Sequence, residues 1–407
     1  MKPMGPIPDD FQAVGGALAI GGVSVEELER RAGSTPFFAY DLEAVRRRVV
    51  RFRAAFPSID LHYALKANPF ADVVREIAPL VDGIDVASIG EAAVAMDAGA
   101  EAGRLSFAGP GKRDTELEQA LAHSFPITLE SEGEAERVLA IAARTRERPR
   151  LAVRINPDFE LKGSGMRMGG GAKPFGIDAE RVPALVRRVV EAGADFSGFH
   201  IFAGSQSLDV DAIIEAQAAT IALAARLAAA ARVEPERLNL GGGFGIPYFA
   251  GDRSLNVERI GAALESAYAA RPKILDATRL CIELGRWLVG EAGVYLTRIV
   301  DRKMSGGQIF LIVDGGLHHQ LAASGNFGTV VRRNYPIAVA NKFRSEPDEV
   351  VNVHGCLCTP LDRLGDQVAL QRAEVGDLIA IFCAGAYGAS ASPSAFLGHG
   401  PAAELVV

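Results

Sequence analysis

The feature that most constrains this chain is an alternation. From about residue 41 to residue 284, short β-like runs take turns with amphipathic stretches at helical spacing, which demands parallel strands joined by crossover helices. Eight such runs can be read: 60–65, 84–87, 104–108, 126–129, 151–155, 198–202, 238–240 and 280–283. The stretches 42–56, 89–98, 132–145, 179–192 and 210–231 lie between them with apolar residues on one face. Eight β–α units in about 240 residues is the size of a (β/α)8 barrel, with a doubly wound open sheet as the competing layout.

After residue 290 the pattern changes. Longer β runs at 294–300, 308–313, 349–353, 378–382 and 404–407 follow one another without helices, as in an all-β domain, and the segment 314–336 reads as a long functional loop. The first forty residues hold an apolar run at 17–20, a helix over 24–32 capped by Ser24, and a strand at 36–40. The organisation expected is a lead-in segment 1–40 that completes the β-domain, a barrel over 41–284 and a C-terminal β-domain over 285–407. With 407 residues and 49% apolar content, core size is not limiting. A net charge of −7 offers no footprint for nucleic acid or anionic membrane, so a small molecule is the default partner. Four cysteines are too few for a disulfide scaffold, the first residues lack a signal-like apolar region, and the Ala-rich segment 212–233 carries Glu215 and Arg226. A reduced, cytoplasmic protein without a membrane span is expected.

Chemically pointed residues gather at the ends of the barrel runs, and in a barrel one face collects them. Lys66 ends the first run, ahead of an Asn-Pro turn, where a desolvated amine can form a Schiff base with a carbonyl cofactor. Gly241, Gly242 and Gly243 follow the seventh run and let the backbone approach an anion, helped by a helix N-terminus if one follows. Ser205 and Tyr387 can add hydroxyl donors. Glu283 and Arg286 put a carboxylate and a guanidinium three residues apart at the eighth. A carboxylate there can keep a pyridine nitrogen protonated, making the ring an electron sink for decarboxylation. Neither His318-His319 nor His354, Cys356 and Cys358 has the spacing of a structural zinc site, so no metal is expected. Strand alternation would put His354, Cys356 and Cys358 on one face, and Cys358, before a turn, is the better candidate for a reactive thiol.

Together these motifs resemble the fold-type III pyridoxal-phosphate decarboxylases, the group of diaminopimelate, ornithine and biosynthetic arginine decarboxylases. The resemblance rests on Tyr63-Ala-Leu-Lys66-Ala-Asn68, Asp85-Val-Ala-Ser88-Ile-Gly90-Glu91, Gly204-Ser205-Gln206, Gly241-Gly-Gly243-Phe244, Glu283-Leu-Gly285-Arg286, Gly355-Cys-Leu-Cys358 with Asp362, and Gly385-Ala-Tyr387. It implies an alanine-racemase-like pair of domains and a homodimer with shared sites. It also implies an internal aldimine at Lys66, Glu283 on the pyridinium, and Ser205, Gly242, Gly243, Gly285, Arg286 and Tyr387 around the cofactor. Asp85 would lie near the lysine, Arg154, His200 and Asp362 near the substrate, and Cys358 of a partner subunit would reprotonate the carbanion after a quinonoid forms.

The departures bear on substrate. The family's cofactor-stacking histidine falls on Phe202, the acid after the thiol on Thr359 with Pro360 behind it, and the arginine of diaminopimelate enzymes near Ala322. Without those charges an amino acid that is conjugated, or tethered to an acyl carrier protein, fits better than a free diamino acid. The Arg332-Arg333 pair can serve an acidic partner. A related racemase, a non-catalytic pyridoxal-phosphate regulator and a metal-stabilised scaffold on His354, Cys356 and Cys358 are the alternatives. Racemases of that type favour arginine where this chain has Glu283.

Overall fold

The computed structural model describes residues 1–159, 166–167, 169–325 and 332–407. The chain forms two compact units, one of Val49–Gly245 and Leu255–Leu284, the other of Met1–Arg48, Ile246–Ser254 and Gly285–Val407.

The first unit is the barrel. Its strands are β1 (Asp60–Ala64), β2 (Gly83–Val86), β3 (Leu105–Phe107), β4 (Ile127–Leu129), β5 (Arg150–Asn156), β6 (Asp195–Ile201), β7 (Arg237–Asn239) and β8 (Arg279–Leu284). Each pairs in parallel with the next, and β8 closes on β1 through Glu283 opposite His62. Closure leaves no edge and settles the choice against an open sheet. The strands read as short apolar runs because both faces are buried, with Leu61, Ile84, Leu105, Ile127, Leu151 and Leu280 all at 1% exposure or less.

Helices complete the outer layer, their starts set by side chains that accept the first free amides: Ser88 for Ile89–Asp97, Ser131 for Glu132–Thr145, Asp209 for Val210–Ala231 and Asn256 for Val257–Ala269. The helix Val210–Ala231 is, against the sequence reading, long and apolar enough to cross a membrane by length and composition. Here it packs against Val182–Glu191 and Val257–Ala269 as part of the outer layer.

The second unit is a mixed sheet in the order Ile337–Val339, Leu378–Ile381, Gly293–Ser305, Gln308–Val313, Glu349–His354, Arg363–Leu370. Strand Phe37–Tyr40 joins it between Gly293–Ser305 and Ala403–Val406. Leu18, Ile20, Val25, Leu28, Phe37, Val294, Leu296 and Phe382 form its core, so the N-terminal segment is structural. Two strands of the mixed sheet escape the sequence reading. Ile337–Val339 is only three residues long, and Arg363–Leu370 carries Gly365 and Asp366, which depress strand propensity.

Candidate active site

In the barrel unit, register places chemistry before side chains do. Arg154 on β5 lies opposite His200 on β6, and His200 opposite Asn239 on β7. On β8, Glu283 stands at the level of His62 on β1. Glu283 is buried, and Asn239 donates from Nδ2 to its Oε2 at 3.2 Å. His200 Nε2 is also 3.2 Å from that oxygen, without the alignment of a hydrogen bond. Burial would raise the Glu283 carboxyl, but His200, Lys66 and Arg154 around it outweigh burial and lower it to about 2.

The strand β1 ends in a single tight turn, Leu65–Ala67, that carries Lys66. Tyr63 Oη donates to the Asn68 carbonyl at 2.8 Å and Asn68 Oδ1 accepts from the Phe70 amide at 3.0 Å, fixing the turn that follows. Lys66 is exposed, so the expectation of a desolvated amine is corrected: the side chain stands free of the core because the turn carries it past the strand end. Its Nζ sits 5.8 Å from the Phe202 ring centroid, a cation–π distance. Beneath it the Asp85 carboxylate is 3.2 Å from Nδ1 of buried His62.

The glycines after β7 are required by packing. Gly241 has φ 68°, and a Cβ on Gly242 would lie 1.8 Å from the Glu283 carbonyl oxygen. Gly241 donates to Asn239 Oδ1 at 2.8 Å, and the Gly243 carbonyl accepts from Ser207 at 2.9 Å. No helix begins there; the next starts at Val257, so the anion-binding backbone has no helix N-terminus behind it. Ser205 lies in a two-residue strand opposite Met166.

Arg154 and His200 are both buried. The Arg154 guanidinium donates to Glu130 at 2.8 Å, and Glu130 also accepts from the Gly109 and Gly176 amides, while His200 backs Glu283. Within the barrel both side chains therefore also support its polar interior. Asn239, His62 and Glu130 were missed. The signal for Asn239 was an amide side chain ending an apolar strand beside a glycine triplet.

In the second unit, Arg286 Nη1 donates to the Tyr248 hydroxyl at 2.8 Å, and its guanidinium lies 4.7 Å from the Tyr387 ring centroid. Among the described residues Arg286 Nε is buried without a hydrogen-bond partner, and Gly285 precedes it as the helix cap. Tyr387 and, in the barrel, Gln206 adopt left-handed backbone at φ 56° and 57°, a strain of about 1 kcal/mol each. Strand Glu349–His354 stops before Cys356 and Cys358, so the three residues do not share a strand face. Cys358 is exposed in the turn that follows. Asp362 is buried, and its carboxylate accepts from the Leu317 amide at 2.6 Å and the Leu357 amide at 2.8 Å. It thereby holds the loop that carries Cys358.

These residues fit pyridoxal phosphate in each unit taken by itself. The barrel offers an amine beside an aromatic face and a carboxylate held in its charged form, and Arg286 Nε is a buried donor with no acceptor among the described residues. Residues 42–290 match the pyridoxal-binding domain of the pyridoxal-dependent decarboxylases. The L-glutamyl-[BtrI acyl-carrier protein] decarboxylase of Niallia circulans is 36% identical over 91% of this chain and 88% of its own. The diaminopimelate decarboxylase of Archaeoglobus fulgidus is 31% identical over 98% and 93%. Among solved structures, diaminopimelate decarboxylase of M. jannaschii with L-lysine superposes with a TM-score of 0.89 at 25% identity, covering 98% of this chain and 93% of that one. The chain thus belongs to the pyridoxal-dependent decarboxylases, and is an amino-acid decarboxylase with pyridoxal phosphate as its cofactor.

Proposed function

We propose that this decarboxylase acts on an acidic L-amino acid tethered through its side chain to an acyl carrier protein. The observation that carries the reading is the turn after the candidate thiol. Cys358 is followed by Thr359 and Pro360, and the one carboxylate of the turn, Asp362, is buried and accepts from two backbone amides. A free diamino acid has a distal ammonium that needs an anion, and the loss of such a contact costs roughly 1.5–3 kcal/mol. Because the α-carboxylate must be free to leave, a tether has to run through the side chain, which suits glutamate or aspartate. Tethering also removes the side-chain charge, so no distal partner is needed. The 36% identity to an enzyme named for a glutamyl carrier protein supports the same class. Arg333, stacked 3.8 Å from the Phe249 ring centroid, adds positive charge suited to an acidic carrier.

Pyridoxal phosphate, when bound, supplies the ring that accepts the electron pair released with carbon dioxide. Lys66 would hold the group through its amine, with the Phe202 ring as the aromatic face beside that amine. The Glu283 carboxylate, already ionised, would favour a protonated ring nitrogen. Ser205, Gly242 and Gly243 offer a hydroxyl and backbone to an anion, and Arg286 with Tyr387 does so in the other unit. Cys358 delivers a proton from Sγ to the α-carbon, serving a second copy of the chain in a homodimer. Four unpaired thiols support a cytoplasmic location.

The test is intact-mass spectrometry of a glutamyl- and an aspartyl-carrier protein incubated with the cofactor-loaded enzyme, beside free glutamate, diaminopimelate, ornithine, lysine and arginine. Loss of carbon dioxide from a carrier-bound amino acid, with free amino acids turned over far more slowly, is expected. Preferential turnover of any free amino acid overturns the proposal.

A further inference from the structure

His318 presents a problem that the decarboxylation chemistry leaves unsolved. It is fully buried in the second unit, and neither ring nitrogen has a hydrogen-bond partner among the described residues. Its neighbour His319 is satisfied, with the Tyr295 hydroxyl 3.1 Å from Nδ1 and the Gly400 carbonyl accepting from Nε2 at 2.9 Å. That second bond brings His399, next to Gly400, over the first histidine: the His318 and His399 ring centroids are 5.1 Å apart. Cys356 Sγ lies 3.9 Å from either nitrogen of His399. One donor atom from each of His318, Cys356 and His399 falls within 4.8 Å of the others.

We propose that His318, Cys356 and His399 form a transition-metal site whose donors select zinc(II), with a fourth position open. Two imidazoles and one thiolate are borderline-soft ligands that suit zinc and not magnesium or calcium. Tetrahedral zinc with bonds of about 2.0 Å to nitrogen and 2.3 Å to sulfur needs donors about 3.5 Å apart. Cys356 Sγ and the His399 nitrogens are already 3.9 Å apart, and His399 is exposed on its loop, where its ring can turn. The other two ligands are held by one carboxylate. Asp362 accepts from the amide of Leu317, just before His318, and from that of Leu357, just after Cys356. Binding forms the zinc–sulfur bond and releases the Cys356 proton to solvent, with no change of oxidation state. The site does not depend on the substrate proposed above.

Competition for zinc between the cofactor-loaded full chain and the chromophoric chelator 4-(2-pyridylazo)resorcinol tests this. One zinc per chain is expected, weakened about 100-fold by Cys356→Ser and by His399→Ala, and unchanged in Cys358→Ser. Zinc K-edge absorption of the unaltered protein gives a readout independent of any variant's folding. It should find one sulfur at about 2.3 Å and two imidazole nitrogens at about 2.0 Å. No stoichiometric uptake, equal affinity in Cys356→Ser, or a shell without sulfur overturns the proposal.

Discussion

Glu283→Gln removes one charge and little volume. The surroundings hold this carboxyl at about 2 against an ordinary 4.5, which corresponds to roughly 3 kcal/mol in favour of the anion. The group is buried, with Asn239 and His200 each 3.2 Å from Oε2, so little solvent is near to screen that preference. A neutral carboxamide there cannot hold a proton on a ring nitrogen by charge. If that interaction matters chiefly as carbon dioxide leaves, kcat and kcat/KM fall together by about 100-fold. The assay is carbon dioxide release from the substrate that the wild-type chain uses, with cofactor occupancy checked by its near-visible absorbance. The sign of the acid effect follows as well. A depressed carboxyl stabilises the fold fully above pH 4.5, and the contribution is lost as pH falls towards about 2, so the variant should lose the wild type's acid-sensitive component in that window. A variant that keeps its cofactor and stays within about threefold of wild-type kcat would refute the role of Glu283.

Three further outcomes follow from the geometry. Asp362→Ala leaves the Leu317 and Leu357 amides without their acceptor and should cost about 2–5 kcal/mol in denaturant unfolding, with Asp362→Asn recovering part; wild-type stability in the alanine variant would contradict the loop-holding role. Gly242→Ala drives a Cβ to 1.8 Å from the Glu283 carbonyl oxygen, so about 3 kcal/mol of stability and much of the cofactor affinity should go, measured by melting and by titration with pyridoxal phosphate. Mixing Lys66→Ala with Cys358→Ala, each inactive alone, should restore roughly a quarter of wild-type activity if the thiol serves a second copy. Mixed dimers that form without activity would sink the shared site.

The barrel was legible because its strands are buried on both faces and therefore appear as isolated apolar runs between helical patterns. Lys66, the glycine triplet and Glu283 were legible for a related reason: each sits at a strand end, where sequence position already implies a common face. The partners of those residues were not. Whether His200 meets a substrate or backs Glu283 depends on the register of β6, β7 and β8, which no local pattern carries. Asp362 stood in a family motif, but its bonds to amides of two segments, one of them distant in sequence, carry no local pattern. The same distance hid His399 from His318 and Cys356. Arg154, read as a substrate contact, is committed to Glu130, an acid on another strand's end that the motifs did not single out.

The most direct measurement is borohydride reduction of the cofactor-loaded protein followed by peptide mapping. The account predicts that the near-visible absorbance disappears on reduction, that the pyridoxyl group is recovered on the peptide bearing Lys66, and that Lys66→Ala shows neither signal. A pyridoxyl group found on another lysine, or full retention of the reducible band in Lys66→Ala, would contradict the assignment on which the chemistry of the barrel rests.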